Sequence, residues 1–337
     1  MRAVLIKQMF LVPKEYQQLR YLLSFARLHV FAPGGVDGAP RRADIELAQD
    51  LIAPLREQVL KKLYKPLRSE QLTEKRLGGA VEGLRELFPA ARVVHCEEIV
   101  PQVPEDDPEN FWPLWNDVLK RLHPEPIDII FASEPYGHRL AAEAGARFVP
   151  VDEARTAFPI SATAIRKDPY RNWRFLPGPV RPYYLKRVTL FGAESTGKTS
   201  LSAELARHYD TVVAPEYGRF HTEAFGSGAT TPEDMRQIVM GHLAGVKAAS
   251  LRANRVLIED TDPVLTAVWS DTLAGSRDPW FDAYRDYPDL YLLCDIDLPW
   301  VDDGTRYFRD PAVRRNFQRA CERELATRGV KFVRIQG

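Results

Sequence analysis

Gly192-Ala193-Glu194-Ser195-Thr196-Gly197-Lys198-Thr199 (GAESTGKT) is the stretch on which the reading of this chain turns. It fits the spacing G-x-x-x-x-G-K-[ST]. Its flanks supply the context that the spacing needs, an apolar strand-like run, Val188–Phe191, before it and a helical stretch, Ser200–His208, after it. Glycines let such a loop curl so that successive N–H groups face phosphate oxygens, and the helix N-terminus adds positive potential. Lys198 is placed to neutralise β- and γ-phosphates, and Thr199 to offer its hydroxyl to Mg²⁺. Gly192, Glu194, Ser195, Thr196, Gly197, Lys198 and Thr199 are therefore candidate nucleotide-binding residues, with ATP and Mg²⁺ as the expected cofactors.

Downstream, Arg187–Phe191, Arg255–Ile258, Leu290–Cys294 and Lys331–Ile335 read as buried strands, with a short one at Thr211–Ala214. The run Val256-Leu257-Ile258-Glu259-Asp260-Thr261-Asp262 is an apolar strand that ends in acid, where a phosphate-loop fold keeps its metal-organising carboxylate. The i, i+2 spacing of Asp260 and Asp262 suits two side chains leaving the strand end on one side. One could hold metal through water while the other accepts a hydroxyl proton, and the sequence does not say which. Glu216, Tyr217 and Arg219 follow the short strand, where an acceptor would lie beside the phosphates. Pro299–Arg306 (PWVDDGTR) carries Arg306 directly after an Asp-Gly turn, and closing positive charge over a γ-phosphate calls for such an arginine. Arg314 and Arg315 read as an ordinary solvated helix face.

Upstream, Val4–Phe10 reads as a short strand, Ile45–Leu63 as an amphipathic helix interrupted at Pro54, and Arg76–Phe88 as a helix. A strand at Arg92–His95, a helix at Phe111–Leu122, a strand at Ile127–Ala132, a helix around Arg139–Ala144 and a strand at Phe148–Val151 follow. Such alternation predicts a parallel α/β sheet. Pro169–Pro182, rich in proline and aromatics, reads as a junction. The expected fold is α/β in two domains, a Rossmann-like sheet followed by a P-loop kinase sheet.

The chain has 337 residues, 45% hydrophobic and 27% charged, enough for two cores. Lys+Arg and Asp+Glu balance at 46 each, so no global field attracts nucleic acid or an anionic membrane. Cys96, Cys294 and Cys321 lack metal-ligand spacing and form no disulfide framework. No apolar run approaches bilayer length, and the N-terminus lacks the order of a signal peptide. The expected location is the cytoplasm, with small-molecule partners, no nucleic acid and no membrane; self-association is left open.

GAESTGKT, EYGR (216–219), IEDTD (258–262) and PWVDDGTR (299–306), in that order, resemble the NadR-type family, which joins nicotinamide-nucleotide adenylyltransferase to ribosylnicotinamide kinase. The resemblance implies a kinase over 187–337 that phosphorylates the ribose 5′-hydroxyl of nicotinamide riboside to give the mononucleotide. It implies Lys198, Asp260, Asp262 and Arg306 as catalytic residues and Thr199 and Asp260 as metal ligands. Glu216, Tyr217 and Arg219 would lie on the acceptor side, with Trp300 stacking on the nicotinamide ring. Upstream, FASEPYG (131–137), VDEAR (151–155) and ISATAIR (160–166) resemble that family's adenylyltransferase over 1–178, joined through a linker at 179–186. By that resemblance Ser161, Thr163 and Arg166 would hold ATP phosphates.

The family's H-x-G-H loop, expected after the first strand, occurs nowhere in the chain, and Met9–Pro13 stands in its approximate place. Three readings of this departure stand: a domain that lost transfer activity and persists as a scaffold or nucleotide-binding module, a divergent or substituted first ~70 residues, or a reading-frame or gene-start artefact. On each, adenylyl transfer by this chain is expected to be absent or severely reduced. The end at Gly337 is likewise expected to leave part of the second sheet uncovered. Two other functions fit the P-loop: a kinase for another nucleoside, nucleotide or alcohol, and a regulatory module that binds nucleotide without turnover. Substrate competition separates the first and binding without turnover the second.

Overall fold

The structure, a computed structural model, describes residues 3–5 (backbone), 81–94, 101, 104, 107–226, 231–300 and 306–336, without the side chains of Thr163 and Arg166. It divides into two compact units: the first ends at Asn172, and the second runs from Trp173 onward together with residues 81–88. The expected helix at Ile45–Leu63, most of the expected strand Val4–Phe10 and the beginning of Arg76–Phe88 lie outside the described residues.

In the first unit, strands β1 (Ala3–Leu5), β2 (Ile129–Ala132) and β3 (Arg147–Pro150) pair in parallel in that order. Helix α1 (Phe111–Leu122) forms where expected, because Phe111, Trp112, Trp115, Val118 and Leu119 fall on one stripe at helical spacing. That stripe packs on β2, buried along its whole length, and on Leu140 and Ala141 of α2 (Tyr136–Glu143). Parallel strands need such crossover helices, so the sheet and its cover arise together. The predicted strand at Arg92–His95 does not form over 92–94: Arg92 and Val94 stay exposed, and the Arg92 guanidinium instead donates to the Leu122 carbonyl at the end of α1. Two exposed alternate positions give a strand no face to bury.

The second unit is a five-stranded, all-parallel sheet in the order β5 (Val213–Ala214), β6 (Val256–Asp260), β4 (Lys186–Phe191), β7 (Leu290–Cys294), β8 (Phe332–Ile335). The alternation of side chains across a strand gives it two cores. Val188, Leu190, Ile258, Leu292 and Cys294 meet Leu205 and Ala206 of α4 (Lys198–His208). Phe191, Tyr291 and Leu293 meet α7 (Pro263–Leu273) and α9 (Pro311–Thr327). Helices on both faces explain why these strands read as nearly continuous apolar runs. Between them in sequence lie α5 (Tyr217–Phe225), α6 (Pro232–Ser250) and α8 (Pro279–Ala283); α3 (Ala162–Lys167) belongs to the first unit. The expected junction carries two 3₁₀ segments, Trp173–Phe175 and Gly178–Tyr184. No helix among the described residues is long and apolar enough to cross a membrane.

Candidate functional site

The phosphate loop runs off the C-terminal end of β4, the end at which open parallel sheets bind ligands. Its glycines are dictated by geometry. Gly192 has φ 129°, and a Cβ there would stand 2.6 Å from the Cys294 carbonyl oxygen; Gly197, with φ 78°, caps α4 in the left-handed region. Ser195 takes φ 58° between them. The Lys198 ammonium lies back across the loop, donating to the carbonyls of Gly192 (3.0 Å) and Ala193 (2.7 Å), and the Thr196 hydroxyl also donates to Ala193 (2.8 Å). Thr199 opens α4 on the exposed side.

Three side chains brace the loop, and two of them were not foreseen. Arg314, expected in solvent, is buried: its guanidinium donates to the carbonyls of Glu194 (3.1 Å), Ser195 (3.0 Å) and Leu298 (3.0 Å). Gln318, one helical turn on, accepts from the Ala193 N–H and donates to the Cys294 carbonyl, each at 2.9 Å. Arg315 is exposed as expected. The signal for the pair was an arginine and a glutamine at i, i+4 beside Phe317 and Cys321, polar groups on the apolar stripe of α9. The third brace is Glu194. Its carboxylate accepts from the Trp300 indole (3.0 Å) and from the backbone N–H groups of Tyr307 (2.9 Å) and Phe308 (2.6 Å). Its charge is therefore turned to Trp300 and to the backbone of Tyr307 and Phe308.

A cleft of about 190 Å³, partly open to solvent, extends from the loop. It brings together Ser195–Thr199, the Glu216–Arg219 turn and Arg306, all singled out from the sequence. It does not include Trp300, whose ring instead holds Glu194 and lies under Arg309. The aromatic wall consists of Trp269 of α7 and Tyr307, with ring centroids 6.0 Å apart, together with Tyr217. Trp269 carried no signal, because it sits in an apolar helix where an aromatic reads as core. Tyr217 is seated by Gly241 of α6: a Cβ at 241 would stand 2.3 Å from the ring.

Asp260 and Asp262 do not leave the strand end together. Thr261 takes φ 92°, which turns the chain and sends the two carboxylates apart. Asp262 is fully buried as the N-cap of α7; it accepts from the Leu265 N–H (3.0 Å) and the Tyr291 hydroxyl (2.6 Å). Burial pushes its carboxyl up to about 6, against the opposing pull of those hydrogen bonds. Asp260 is also buried, but its Oδ1 has no hydrogen-bond partner among the described residues. Deeper in β6, the Glu259 carboxylate is paired with the Arg187 guanidinium (2.5 Å) and accepts from the Thr189 hydroxyl (3.1 Å).

In the first unit, Arg155 ties the three upstream motifs together, donating to the Glu134 carboxylate and, at 2.9 Å, to the Ile160 carbonyl. The Ser161 hydroxyl accepts from the Ala164 N–H at 3.1 Å and caps α3. The side chains of Thr163 and Arg166 lie outside the described set.

The sequence profile of the AAA domain family AAA_28 matches residues 187–337. The trifunctional NAD biosynthesis/regulator protein NadR of Escherichia coli (strain K12) is 32% identical over 234 residues, 67% of this chain and 57% of the relative. The Salmonella typhimurium (strain LT2) protein of the same name is 31% identical over the same shares. This chain thus spans a little over half the length of the curated relatives it matches. Among solved structures, a NadR protein in complex with NR is 22% identical, covering 81% of this chain and 80% of that one with a TM-score of 0.61. A NadR protein in complex with NAD and AMP-PNP is 23% identical with a TM-score of 0.58, covering 80% of each chain. The chain is a homologue of the NadR proteins through two thirds of its length, and its braced phosphate loop lies in the AAA-type half.

Proposed function

We propose that residues 187–337 transfer the γ-phosphoryl group of ATP to the 5′-hydroxyl of nicotinamide riboside. The observation that carries this reading is a single cleft in which the phosphate loop, with Lys198 and Thr199, faces an aromatic wall of Tyr217, Trp269 and Tyr307. Aromatic faces suit a planar base with its ribose attached, and the loop suits a triphosphate. The relatives named for NAD biosynthesis, and the NadR structures in complex with NR and with NAD and AMP-PNP, support the same pair of ligands.

Phosphoryl transfer asks the protein mainly for position and charge. Lys198 and Arg306 would supply positive charge to the transferring group. Asp260, with an oxygen not committed to the fold, would face the acceptor hydroxyl or the metal; Asp262, closed by Leu265 and Tyr291, would hold α7 in place. The site suits Mg²⁺, which keeps few protein ligands and leans on substrate phosphates. Thr199 and Asp260 are a fitting pair, and no group of three His, Cys, Asp or Glu that could hold a metal occurs among the described residues. The ion, when bound, neutralises charge on the phosphates. Residues 1–178 we read as a Rossmann-like adenylyltransferase-type domain whose transfer activity is absent or strongly reduced, in an enzyme of the cytoplasm acting on small molecules.

The test is formation of nicotinamide mononucleotide from ATP and nicotinamide riboside by the purified chain, with Lys198→Ala as control. Product from wild type alone is expected. ATP binding with nicotinamide riboside untouched would remove the substrate assignment.

A further inference from the structure

His242 lies on α6, 2% exposed, and lines the cleft together with Tyr217, Met235, Ile238 and Thr266. Neither ring nitrogen makes a hydrogen bond of standard geometry among the described residues, and the Pro215 carbonyl lies near enough to act on one of them. Buried side-chain nitrogens are nearly always satisfied, so a ring with a nitrogen left unpaired needs a reason. A histidine kept for packing alone would be better replaced by an apolar ring of the same size. The charges that reach it come from Glu259 and Arg187, which neutralise each other, and from Asp260, whose own Oδ1 is the other nearby orphan. Burial lowers the pKa of the imidazole and keeps it neutral, with one N–H donor and one acceptor nitrogen. Such a ring binds a hydroxyl well and an ionic group poorly. The residue before it, Gly241, leaves the space into which the Tyr217 ring fits, so the wall that would receive the acceptor is built around this turn of α6.

We propose that His242 is a specificity-determining residue whose ring nitrogen hydrogen-bonds a ribose ring hydroxyl of the acceptor, a hydroxyl other than the one phosphorylated. The proposal rests on the kinase reading above and deepens it, because a site built to pair a hydroxyl rejects acceptors lacking it.

The experiment is steady-state kinetics on wild type, His242→Phe and His242→Gln with ATP and nicotinamide riboside, and with the 2′-deoxy and 3′-deoxy ribosides. His242→Phe is expected to raise the KM for the riboside about ten- to a hundredfold and leave the KM for ATP within about twofold. His242→Gln, which still donates and accepts, should recover part of the loss. One deoxy riboside should be a poor acceptor for wild type by a similar factor and no poorer for His242→Phe. An unchanged riboside KM in His242→Phe overturns the proposal. So do deoxy penalties that persist in full in that variant, or equal shifts for ATP and riboside accompanied by a lowered Tm in both variants. If wild type phosphorylates another riboside but not nicotinamide riboside, the nicotinamide assignment falls and the same series on that riboside decides His242. If it accepts no riboside, both fall.

Discussion

The two units of this chain are both parallel α/β sheets, yet they hold their motifs differently. In the second unit the phosphate loop is fixed from three sides by Glu194, Arg314 and Gln318, which between them make eight hydrogen bonds to the loop and its neighbours. In the first unit the motifs meet mainly through one side chain, Arg155, and through the Asp152 carboxylate, which accepts from the N–H groups of Thr156, Ala157 and Phe158. The difference teaches that a motif in a sequence is not yet a site. Catalytic geometry needs supporting side chains that hold the motif in place.

The sharpest way to break this comparison is to look for NAD production from the mononucleotide and ATP. None is expected, and robust formation by the purified chain would make the first unit an enzyme in its own right. Within the second unit, Asp260→Asn should lower phosphoryl transfer about 10²- to 10⁴-fold, whereas Asp262→Asn should chiefly lower Tm; a reversed pattern would reassign the two carboxylates. Arg314→Ala leaves three carbonyls without their donor, two in the phosphate loop (Glu194, Ser195) and that of Leu298. A loss of roughly 2–4 kcal/mol by chemical denaturation is expected, with weaker ATP binding by calorimetry; unchanged ATP affinity would show that the loop holds its shape without α9. Gly241→Ala forces the Tyr217 ring aside, at about 1–3 kcal/mol, and should raise the acceptor KM more than the KM for ATP.

The smallest effect belongs to the first unit. Hydrogen bonds from Phe158 and Ala157 hold the Asp152 carboxyl below its ordinary value near 3.8. A lowered folded pKa stabilises above the unfolded value and is lost as pH falls through the folded one. Hydrogen exchange at residues 156–158 should therefore be faster in Asp152→Asn than in wild type at neutral pH, the gap closing in strong acid.

Much of the second sheet was legible because buried parallel strands announce themselves as apolar runs: Leu290–Cys294 forms over the residues expected, and β4, β6 and β8 differ by one or two at their ends. The loop was legible because its spacing is a stereochemical requirement. Three things were not. The i, i+2 rule for Asp260 and Asp262 failed because one residue, Thr261, leaves the strand conformation. Trp269 lines the cleft and Trp300 does not, a placement hard to read because an aromatic in a polar loop looks like a ligand contact and one in an apolar helix looks like core. Arg314 was misread because charge suggests solvent, and only tertiary structure shows carbonyls waiting beneath it.

Glu194 has a consequence beyond bracing. It belongs to the phosphate loop, yet its carboxylate grips the backbone at Tyr307, beside Arg306, where both residues line the cleft. On the proposed reading the two substrates would share a mechanical part, and a shift of that loop on ATP binding would be felt where the riboside sits. Thermodynamics makes the coupling reciprocal: whatever factor ATP adds to riboside affinity, the riboside returns to ATP. An enzyme wired in this way would sense two pools at once, and Glu194→Gln, by loosening the grip, would leave it responding to each separately.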